Sequence, residues 1–167
     1  MSGVIEQMKP CDWEQVRSIY LEGLQTGNST FETEAPDWTS WDESHLQVAR
    51  LVMRAGDEIL GWAALSSVSK RFVYRGVAEV TVYVKGNARG KGIGRALLEE
   101  LIAESERNDI WTLQASIFPE NKASVELHRR CGFREVGRRE RIAKLNGLWR
   151  DTLLLERRSA TVDAVTV

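Results

Sequence analysis

The sequence predicts one α/β (α+β) domain, in which helices flank a central mixed sheet. Strand-like and helix-like segments alternate along the chain, a pattern typical of folds that cover a sheet with helices. The 167 residues contain no internal repeat and no interdomain linker, and this length is sufficient for one sizeable core. We therefore predict one domain over residues 1–158, followed by a C-terminal tail at residues 159–167.

The N-terminal segment predicts a strand followed by an amphipathic helix. Residues 4–8 have strand character, and Pro10 ends them. Asp12 and Gln15 have the spacing of a capping box, which predicts that a helix starts here. Its apolar positions recur at helical spacing and are Val16, Ile19, Tyr20 and Leu24. Residues 27–30 (Gly-Asn-Ser-Thr) favour a turn and therefore end the helix.

The middle of the chain predicts a hairpin, a strong strand and a second amphipathic helix. The elements are a loop at 31–39, a short helix at 41–46, strands at 47–54, 59–67 and 77–84, and a helix at 93–108. Residues 77–84 are rich in β-branched side chains, which favour strands. Ile93, Leu97 and Leu101 form an apolar stripe at positions i, i+4 and i+8, which predicts that this helix packs against the core.

The last third predicts a strand, a helix and two closing strands. The strand is at 112–117, the helix at 121–131 and the closing strands at 134–141 and 148–155. Gly132 follows the helix at the position where a glycine commonly ends one.

Composition excludes several classes of protein. Lys plus Arg number 23 and Asp plus Glu 24, a net charge of −1, which argues against a dedicated nucleic-acid binder. No apolar run approaches the ~20 residues that span a bilayer, and the first residues lack a signal peptide, so we expect a cytoplasmic protein. Cys11 and Cys131 match no metal or redox spacing and are predicted to be free, buried thiols.

The segment most informative about function is residues 80–95, where a strand leads through a basic, glycine-rich turn into a helix. Its turn is Arg89-Gly90-Lys91-Gly92-Ile93-Gly94-Arg95. Glycines leave successive backbone N–H groups accessible, and the start of a helix carries the positive end of its dipole. Arg89, Lys91 and Arg95 add positive charge. The turn is therefore predicted to hold an anion, and a pyrophosphate is the natural candidate.

Two nucleotide-binding motifs do not fit this turn. In the Walker motif, four residues separate the first glycine from Gly-Lys-Ser/Thr, whereas three separate Gly86 from Gly90 and Gly92 follows Lys91. The dinucleotide fingerprint requires glycine where this chain has Arg95. A tight turn without a ligand is the structural alternative.

The turn fits the pattern Arg-x-x-Gly-x-Gly and resembles the acyl-CoA pyrophosphate loop of the GNAT acetyltransferase superfamily. Residues 121–133, which run from Asn121 through a helix to Gly132-Phe133, are similar to a second segment of that family. The resemblance covers residues 3–156. It implies the GNAT fold, with a sheet splayed at the Val77–Val84 strand, and acetyl-CoA as co-substrate without a metal.

Two other segments, Arg75–Val84 and Asn28–Glu34, are similar to the phosphinothricin and methionine-sulfone N-acetyltransferase branch, as are residues 124–128. That branch acetylates the α-amine of small amino-acid-like molecules with a tetrahedral side-chain group, and arsenical relatives acetylate arsinothricin. The branch often has Gly-aromatic-Lys before Trp-x-Asp. Here Trp149-Arg150-Asp151 is present but the preceding turn differs, so the acceptor stays open among these molecules.

The resemblance implies two catalytic residues, Glu79 and His128. Glu79 lies inside an apolar strand, where a carboxylate is costly unless it is paired or used. It is predicted to be the general base, acting through water on the acceptor ammonium; the structural alternative is an ion pair with Arg75. His128 is predicted either to help deprotonate the amine or to orient the thiolate; the alternative is a buried structural histidine.

The resemblance also implies the binding residues. The predicted acetyl-CoA contacts are Val82, Tyr83, Val84, Arg89, Gly90, Lys91, Gly92, Ile93, Gly94, Arg95 and Asn121. The predicted acceptor contacts are Phe31, Glu32, Arg75, Gly76 and Val77, with Arg75 as a bidentate clamp on an acidic group. Phe31 could equally cover the core, and Arg75 could be a surface arginine.

The sequence thus predicts an acetyl-CoA-dependent N-acetyltransferase of a small amino-acid-like amine. Two alternatives stay open: an acetyltransferase of another amine (a polyamine, a protein N-terminus or a lysine), and a CoA-binding module without catalysis. The branch implies a homodimer. No nucleic-acid or membrane partner is predicted.

Overall fold

A seven-stranded mixed sheet forms the centre of the molecule in the computed structural model, which describes residues 2–163. The strands are β1 (Val4–Gln7), β2 (Leu51–Ala55), β3 (Glu58–Ser67), β4 (Val77–Val84), β5 (Thr112–Ile117), β6 (Arg134–Leu145) and β7 (Leu148–Arg158). The helices are α1 (Trp13–Gln25), α2 (Trp38–Ser44), α3 (Ile93–Arg107) and α4 (Lys122–Arg130). The strand order is β1-β2-β3-β4-β5-β7-β6. The predicted α/β fold with a mixed sheet is confirmed.

The sheet opens between β4 and β5, the one parallel pair of neighbours among the described strands. The two strands pair over residues 77–79 of β4, and Glu79 opposite Gln114 is the last pair. β3 follows β4 to its end at Val84, whereas β5 continues against β7. One edge of residues 80–84 therefore has no neighbouring strand. This is the splay that the resemblance implied.

Apolar side chains fill a layer on each face of the sheet. On one face α3 buries Leu97, Leu98 and Leu101 completely, so its predicted stripe is confirmed. On the other face α1 and α2 pack Val16, Ile19 and Trp41 against the sheet. Each helix therefore buries its apolar side as its periodicity predicts.

Long-range partners override the predicted cap at the start of α1. The Asp12 carboxylate accepts a hydrogen bond from the Lys9 N–H at 2.8 Å and pairs with Arg54 at 2.6 Å. The Gln15 side-chain nitrogen donates a hydrogen bond to the Asp57 carbonyl, and the Gln15 side-chain oxygen accepts one from the Ile59 N–H near the start of β3. The predicted capping box is therefore wrong, because both side chains have partners in other elements.

The closing hairpin is longer than predicted. β6 continues to Leu145 and β7 starts at Leu148, with Asn146 and Gly147 as the two central turn residues. Both have positive φ, 50° and 80°, as in the hairpin turns that Asn-Gly favours. The strand prediction ended at Arg141, where a positive φ of 46° accompanies an irregular register before pairing resumes.

The start of the predicted tail is packed against the domain. The N–H of Ser159 donates to the Trp111 carbonyl at 2.8 Å, and its hydroxyl donates to Glu106 at 2.9 Å. Val162 is buried. Residues 164–167 of the predicted tail lie outside the described residues. Over residues 2–163, no helix is long and apolar enough to cross a membrane.

Both cysteines are free thiols, as predicted, but Cys11 is exposed and Cys131 is partly buried. The prediction that both are buried is therefore wrong for Cys11, which precedes α1 at the surface. Burial raises the pKa of the Cys131 thiol above its ordinary value, which disfavours a reactive thiolate.

Candidate active site

A cavity of about 950 Å³ opens at the splay between β4 and β5. Its lining includes most of the residues singled out from the sequence: Phe31, Glu32, Glu79, Val82, Tyr83, Val84, Arg89, Gly90, Gly92, Ile93, Gly94, Arg95, Asn121 and His128. Lys91 of the same turn is exposed and outside this lining. Residues 89–95 with the start of α3 form what we name the glycine-rich side. Residues 28–32 together with Glu79 and Tyr83 form the carboxylate side.

Backbone groups dominate the glycine-rich side. Gly90 and Gly92 have φ of 77° and 80°, the left-handed region that side chains disfavour, and α3 starts directly after Gly92. Within the described residues, none of the N–H groups of residues 89–95 donates a hydrogen bond to the protein. These free donors at a helix N-terminus are suited to bind a phosphate-type anion.

Charged side chains and α1 support this turn. The N–H of Gly86 donates to the Glu22 carboxylate of α1 at 2.5 Å, which ties the turn to that helix. Arg89 donates to the Val84 carbonyl at 3.3 Å, and Arg95 pairs with Glu99 at 2.7 Å. Arg89 and Arg95 remain exposed beside the free amides and add positive charge where an anion would bind.

Asn121 caps α4 and connects it to the loop after α1. Its side-chain oxygen accepts from the Ser124 N–H at 3.3 Å, and its amide nitrogen donates to the Asn28 carbonyl at 3.1 Å. Asn121 thus helps shape the cavity wall as well as lining it.

Glu79 lies at the point where β4 and β5 separate. The Gln114 amide donates to its Oε2 at 2.9 Å, and no described residue donates to Oε1. The alternative of an ion pair with Arg75 is wrong, since the Arg75 guanidinium lies over the Phe72 and Trp111 rings, at 4.3 and 5.2 Å from their centroids. One carboxylate oxygen is therefore held by a neutral neighbour, and the other is available to the cavity.

Strand alternation groups Glu79 with Tyr83 on the α1 face of β4. The Tyr83 ring stacks on Trp62 at 5.2 Å and meets Tyr20 edge-on at 5.0 Å. Gly23 of α1 makes room for it, because a Cβ there would lie 2.4 Å from the ring. Burial raises the pKa of the Tyr83 hydroxyl, and the negative charge of Glu32 raises it further. A hydrogen bond with Ser29 lowers this pKa by less than the other two influences raise it, so the hydroxyl keeps its proton at neutral pH.

His128 is buried in α4 with a defined tautomer. Its Nδ1 lies 2.7 Å from the Ser124 carbonyl oxygen, which can only accept, so Nδ1 carries the proton. Burial lowers the pKa of His128, and the hydrogen bond to Ser124 opposes this less strongly. The ring is therefore neutral at pH 7 and keeps a free lone pair on Nε2.

Arg75, Gly76 and Val77 do not line the cavity, contrary to their predicted place in the acceptor pocket. Arg75 ends the turn of residues 72–74 before β4, and the extended start of β4, residues 77–79, lies between it and the cavity. The Trp111 ring lies 2.0 Å from where a Gly76 Cβ would be, so this glycine has a packing role. Val77 starts the pairing of β4 with β5.

Gln114, Phe118 and Thr152 belong to the site although no sequence motif predicted them. Gln114 holds Glu79, while Phe118, directly after β5, and Thr152 of β7 line the cavity. No local motif marks them, because they reach the cavity only through the pairing of β5 with β4 and β7.

Among residues 2–163, no group of three or more His, Cys, Asp or Glu is arranged to hold a metal ion.

The model of the GNAT acetyltransferase family matches residues 13–133. The chain belongs to the GNAT family. It is therefore an acetyltransferase with the GNAT fold, as the glycine-rich turn and the splayed sheet indicate.

Similar GNAT proteins include two amino-acid-analogue acetyltransferases. The chain is 33% identical over 152 residues to phosphinothricin N-acetyltransferase of Alcaligenes faecalis, covering 87% of this chain and 77% of the relative. It is 29% identical over 164 residues to the L-methionine sulfoximine/L-methionine sulfone acetyltransferase of Pseudomonas paraeruginosa, covering 93% and 94%.

Solved GNAT structures are similar over the whole fold. A phosphinothricin acetyltransferase from Sinorhizobium meliloti in complex with AcCoA has a TM-score of 0.85 at 26% identity, covering 100% of this chain and 98% of that one. A ribosomal-protein-alanine N-acetyltransferase from Brucella melitensis has a TM-score of 0.88 at 29% identity, covering 93% and 99%.

Proposed function

We propose that this GNAT enzyme transfers the acetyl group of acetyl-CoA to the α-amine of a small amino-acid-like acceptor. The acceptors we expect are of the phosphinothricin, methionine sulfone, methionine sulfoximine or arsinothricin type. The observation that carries the proposal is the position of Glu79, at the end of the β4–β5 pairing with one carboxylate oxygen available to the cavity. The curated relatives named for phosphinothricin and methionine sulfoximine support the acceptor class.

The glycine-rich side is suited to acetyl-CoA. The unpaired N–H groups of residues 89–95, with Arg89 and Arg95 beside them, match the charge of a pyrophosphate. The open edge of residues 80–84 offers backbone groups with which an extended pantetheine arm can pair, as a peptide adds to a sheet edge. The acetyl-CoA complex of the Sinorhizobium relative supports this assignment.

The carboxylate side provides the proton acceptor for the reaction. An ammonium has no lone pair, so the amine must lose a proton before its nitrogen attacks the thioester carbon. Glu79 takes that proton, through a water, and Gln114 keeps the carboxylate oriented. The N–C bond then forms, with a backbone N–H near Val82 stabilising the oxyanion. As the C–S bond breaks, CoA leaves as a thiolate and takes up the second proton that the nitrogen releases, which gives the amide and the free thiol.

The tautomer of His128 favours one of its two predicted roles. A neutral ring with its proton on Nδ1 presents a lone pair at Nε2, so it can accept a hydrogen bond or a proton from the amine. It has no proton on Nε2 to donate to a departing thiolate. We therefore assign His128 to orienting the amine and helping to deprotonate it.

The test is free-thiol release from acetyl-CoA with a panel of amines. The panel contains phosphinothricin, methionine sulfone, methionine sulfoximine, a polyamine and a short peptide with an N-terminal alanine. We expect turnover only with the amino-acid analogues. Turnover confined to the peptide would favour the second candidate, acetylation of a protein N-terminus, which the Brucella structure supports by its similarity. Acetyl-CoA binding in calorimetry without turnover of any amine would indicate a CoA-binding module.

We also propose that the chain forms a homodimer. Phe72, Val73 and Tyr74, just before β4, are 75%, 58% and 45% exposed, an apolar patch of the kind that marks interaction surfaces. Light scattering should give twice the 18.9 kDa chain mass; the mass of one chain would contradict the proposal. The cytoplasmic location and the lack of nucleic-acid or membrane partners stay predictions.

A further inference from the structure

Arg150 of β7 is largely buried, although it lies in a strand of the exposed closing hairpin. Its side chain is 16% exposed, whereas that of Arg138 on the same hairpin is 52% exposed. The guanidinium lies over the Phe118 ring, 4.1 Å from its centroid. An arginine in such a position needs partners for its N–H groups, since burying an unpaired charge is costly.

Arg150 has two partners in the loop that follows α1 and a third, Glu120, after β5. One terminal nitrogen donates to the Gly27 carbonyl at 2.9 Å. The other donates to the Asn28 side-chain oxygen at 2.8 Å and contacts the Glu120 carboxylate at 3.3 Å. Gly27 lies just past the end of α1, where the negative end of the helix dipole also favours a cation.

This loop has few other long-range hydrogen bonds. Among the described residues, three hydrogen bonds join residues 27–32 to segments beyond β5, and Arg150 donates two of them. Asn121 donates the third, to the Asn28 carbonyl. The Phe31 ring packs edge-on against the Phe118 ring, with 4.9 Å between the centroids. Arg150 lies over this same Phe118 ring. Among the described residues, Arg150 therefore donates more of the hydrogen bonds that join this loop to segments beyond β5 than any other residue.

We propose that Arg150 is a positioning residue that fixes residues 27–32, and through them Phe31 and Glu32, in the shape that receives the amine acceptor. The proposal rests on the proposed function for the identity of the acceptor. Arg150 does not line the cavity and acts through the loop, whose residues 28–32 do. The planar guanidinium can bond two loop oxygens while it stacks on Phe118, a combination unavailable to lysine.

The test compares Arg150→Leu with Arg138→Leu, which removes an arginine of the same hairpin that pairs with Asp151 away from the loop. The assay uses whichever amine of the panel the wild-type enzyme acetylates fastest. For Arg150→Leu we expect kcat/KM for the amine to fall about 10- to 100-fold, as for a misplaced substrate. The loss should arise mainly from KM for the amine, while KM for acetyl-CoA stays unchanged. Arg138→Leu should match wild type.

Two further variants protect the test against a general folding defect. Arg150→Lys keeps the charge but not the paired geometry, and should recover only part of the affinity for the amine. Asn28→Ala removes one loop acceptor of Arg150, so its effect should be smaller than that of Arg150→Leu and not additive with it. Additive effects, or equal rises in both KM values, would overturn the proposal.

Hydrogen–deuterium exchange of the ligand-free protein gives a readout that needs no substrate. In Arg150→Leu the exchange of residues 26–32 should accelerate at least tenfold, while that of β5 and β7 stays as in wild type. Unchanged exchange in this loop would overturn the role of Arg150 whatever the acceptor is. Accelerated exchange in an enzyme that acetylates only the peptide would retain Arg150 as a positioning residue and reject the proposed acceptor class.

Discussion

The glycine-rich side of the cavity comes from one continuous turn, whereas the opposite wall is assembled from separate segments. Residues 89–95 supply backbone amides, and their conformation depends on two glycines with positive φ. The carboxylate side brings residues 28–32 against Glu79 and Tyr83 of β4, with His128 and Thr152 added from α4 and β7. Backbone amides that bind an anion need only local geometry. Side chains that bind and deprotonate an amine come from several elements, so the whole sheet must align them.

The two sides of the cavity should therefore respond differently to mutation. A change on the glycine-rich side should alter the affinity for acetyl-CoA and little else. A change on the carboxylate side should alter the chemical step or the affinity for the amine. Kinetics that separate kcat from the two KM values can therefore test the comparison directly.

The largest effect is expected for Glu79→Gln, which removes the proton acceptor and keeps the shape of the side chain. We expect kcat to fall at least 100-fold, as for loss of a general base, and the pH optimum to rise because the amine then has to deprotonate unaided. KM for acetyl-CoA should not change. Steady-state rates across pH measure this, with Glu126→Gln on the outer side of α4 as the control. A Glu79→Gln enzyme with wild-type kcat at neutral pH would remove Glu79 from the mechanism.

An intermediate effect is expected for Gly92→Ala. Alanine at φ of 80° costs about 1–2 kcal/mol, so the turn should change shape and KM for acetyl-CoA should rise about tenfold. KM for the amine should stay constant.

Gly56→Ala is the matched control, because Gly56 has φ of 60°, open space around its Cβ position and a place in the β2–β3 turn away from the cavity. Both variants should lose a similar amount of thermal stability. If Gly56→Ala also raised KM for acetyl-CoA, the effect of Gly92 would be one of stability alone.

The smallest effect concerns His128 and pH. Burial lowers the pKa of His128, so below the ordinary value of about 6.5 the unfolded chain binds a proton that the folded chain does not. Stability should therefore be complete above pH 6.5 and fall as pH drops toward the lower folded pKa. His128→Gln should show a smaller fall in Tm between pH 7.5 and 5.5 than wild type, measured by thermal melts.

A His45 variant serves as the control that distinguishes a structural role of His128 from a catalytic one. Its pKa is also lowered by burial, and its ring stacks on Trp41 at 4.1 Å, outside the cavity lining. His45→Gln should flatten the pH dependence of Tm in the same way but leave kcat unchanged, whereas His128→Gln should lower kcat as well. Equal kcat values for the two variants would make His128 purely structural.

Elements that depend on local interactions could be predicted from the sequence. The β-branched run of residues 77–84 forms β4 with the predicted bounds, and the stripe of α3 is buried as its periodicity requires. The turn at Gly90 and Gly92 has the positive φ that only glycine adopts readily. Asn146-Gly147 is also a local hairpin signal, but it was not used in the predictions, which ended the strand at Arg141 instead of Leu145.

The contacts between side chains distant in sequence depend on the folded sheet and could not be predicted from local patterns. Asp12 and Gln15 have the spacing of a cap, but partners from β2, the β2–β3 turn and β3 compete successfully for them. Arg75 is close to Glu79 in sequence, yet an extended strand moves it away from the cavity. Gln114 reaches Glu79 and Arg150 reaches Asn28 through strand pairing and hairpin packing. Spacing along a chain encodes local geometry, whereas these contacts depend on the register of the completed sheet.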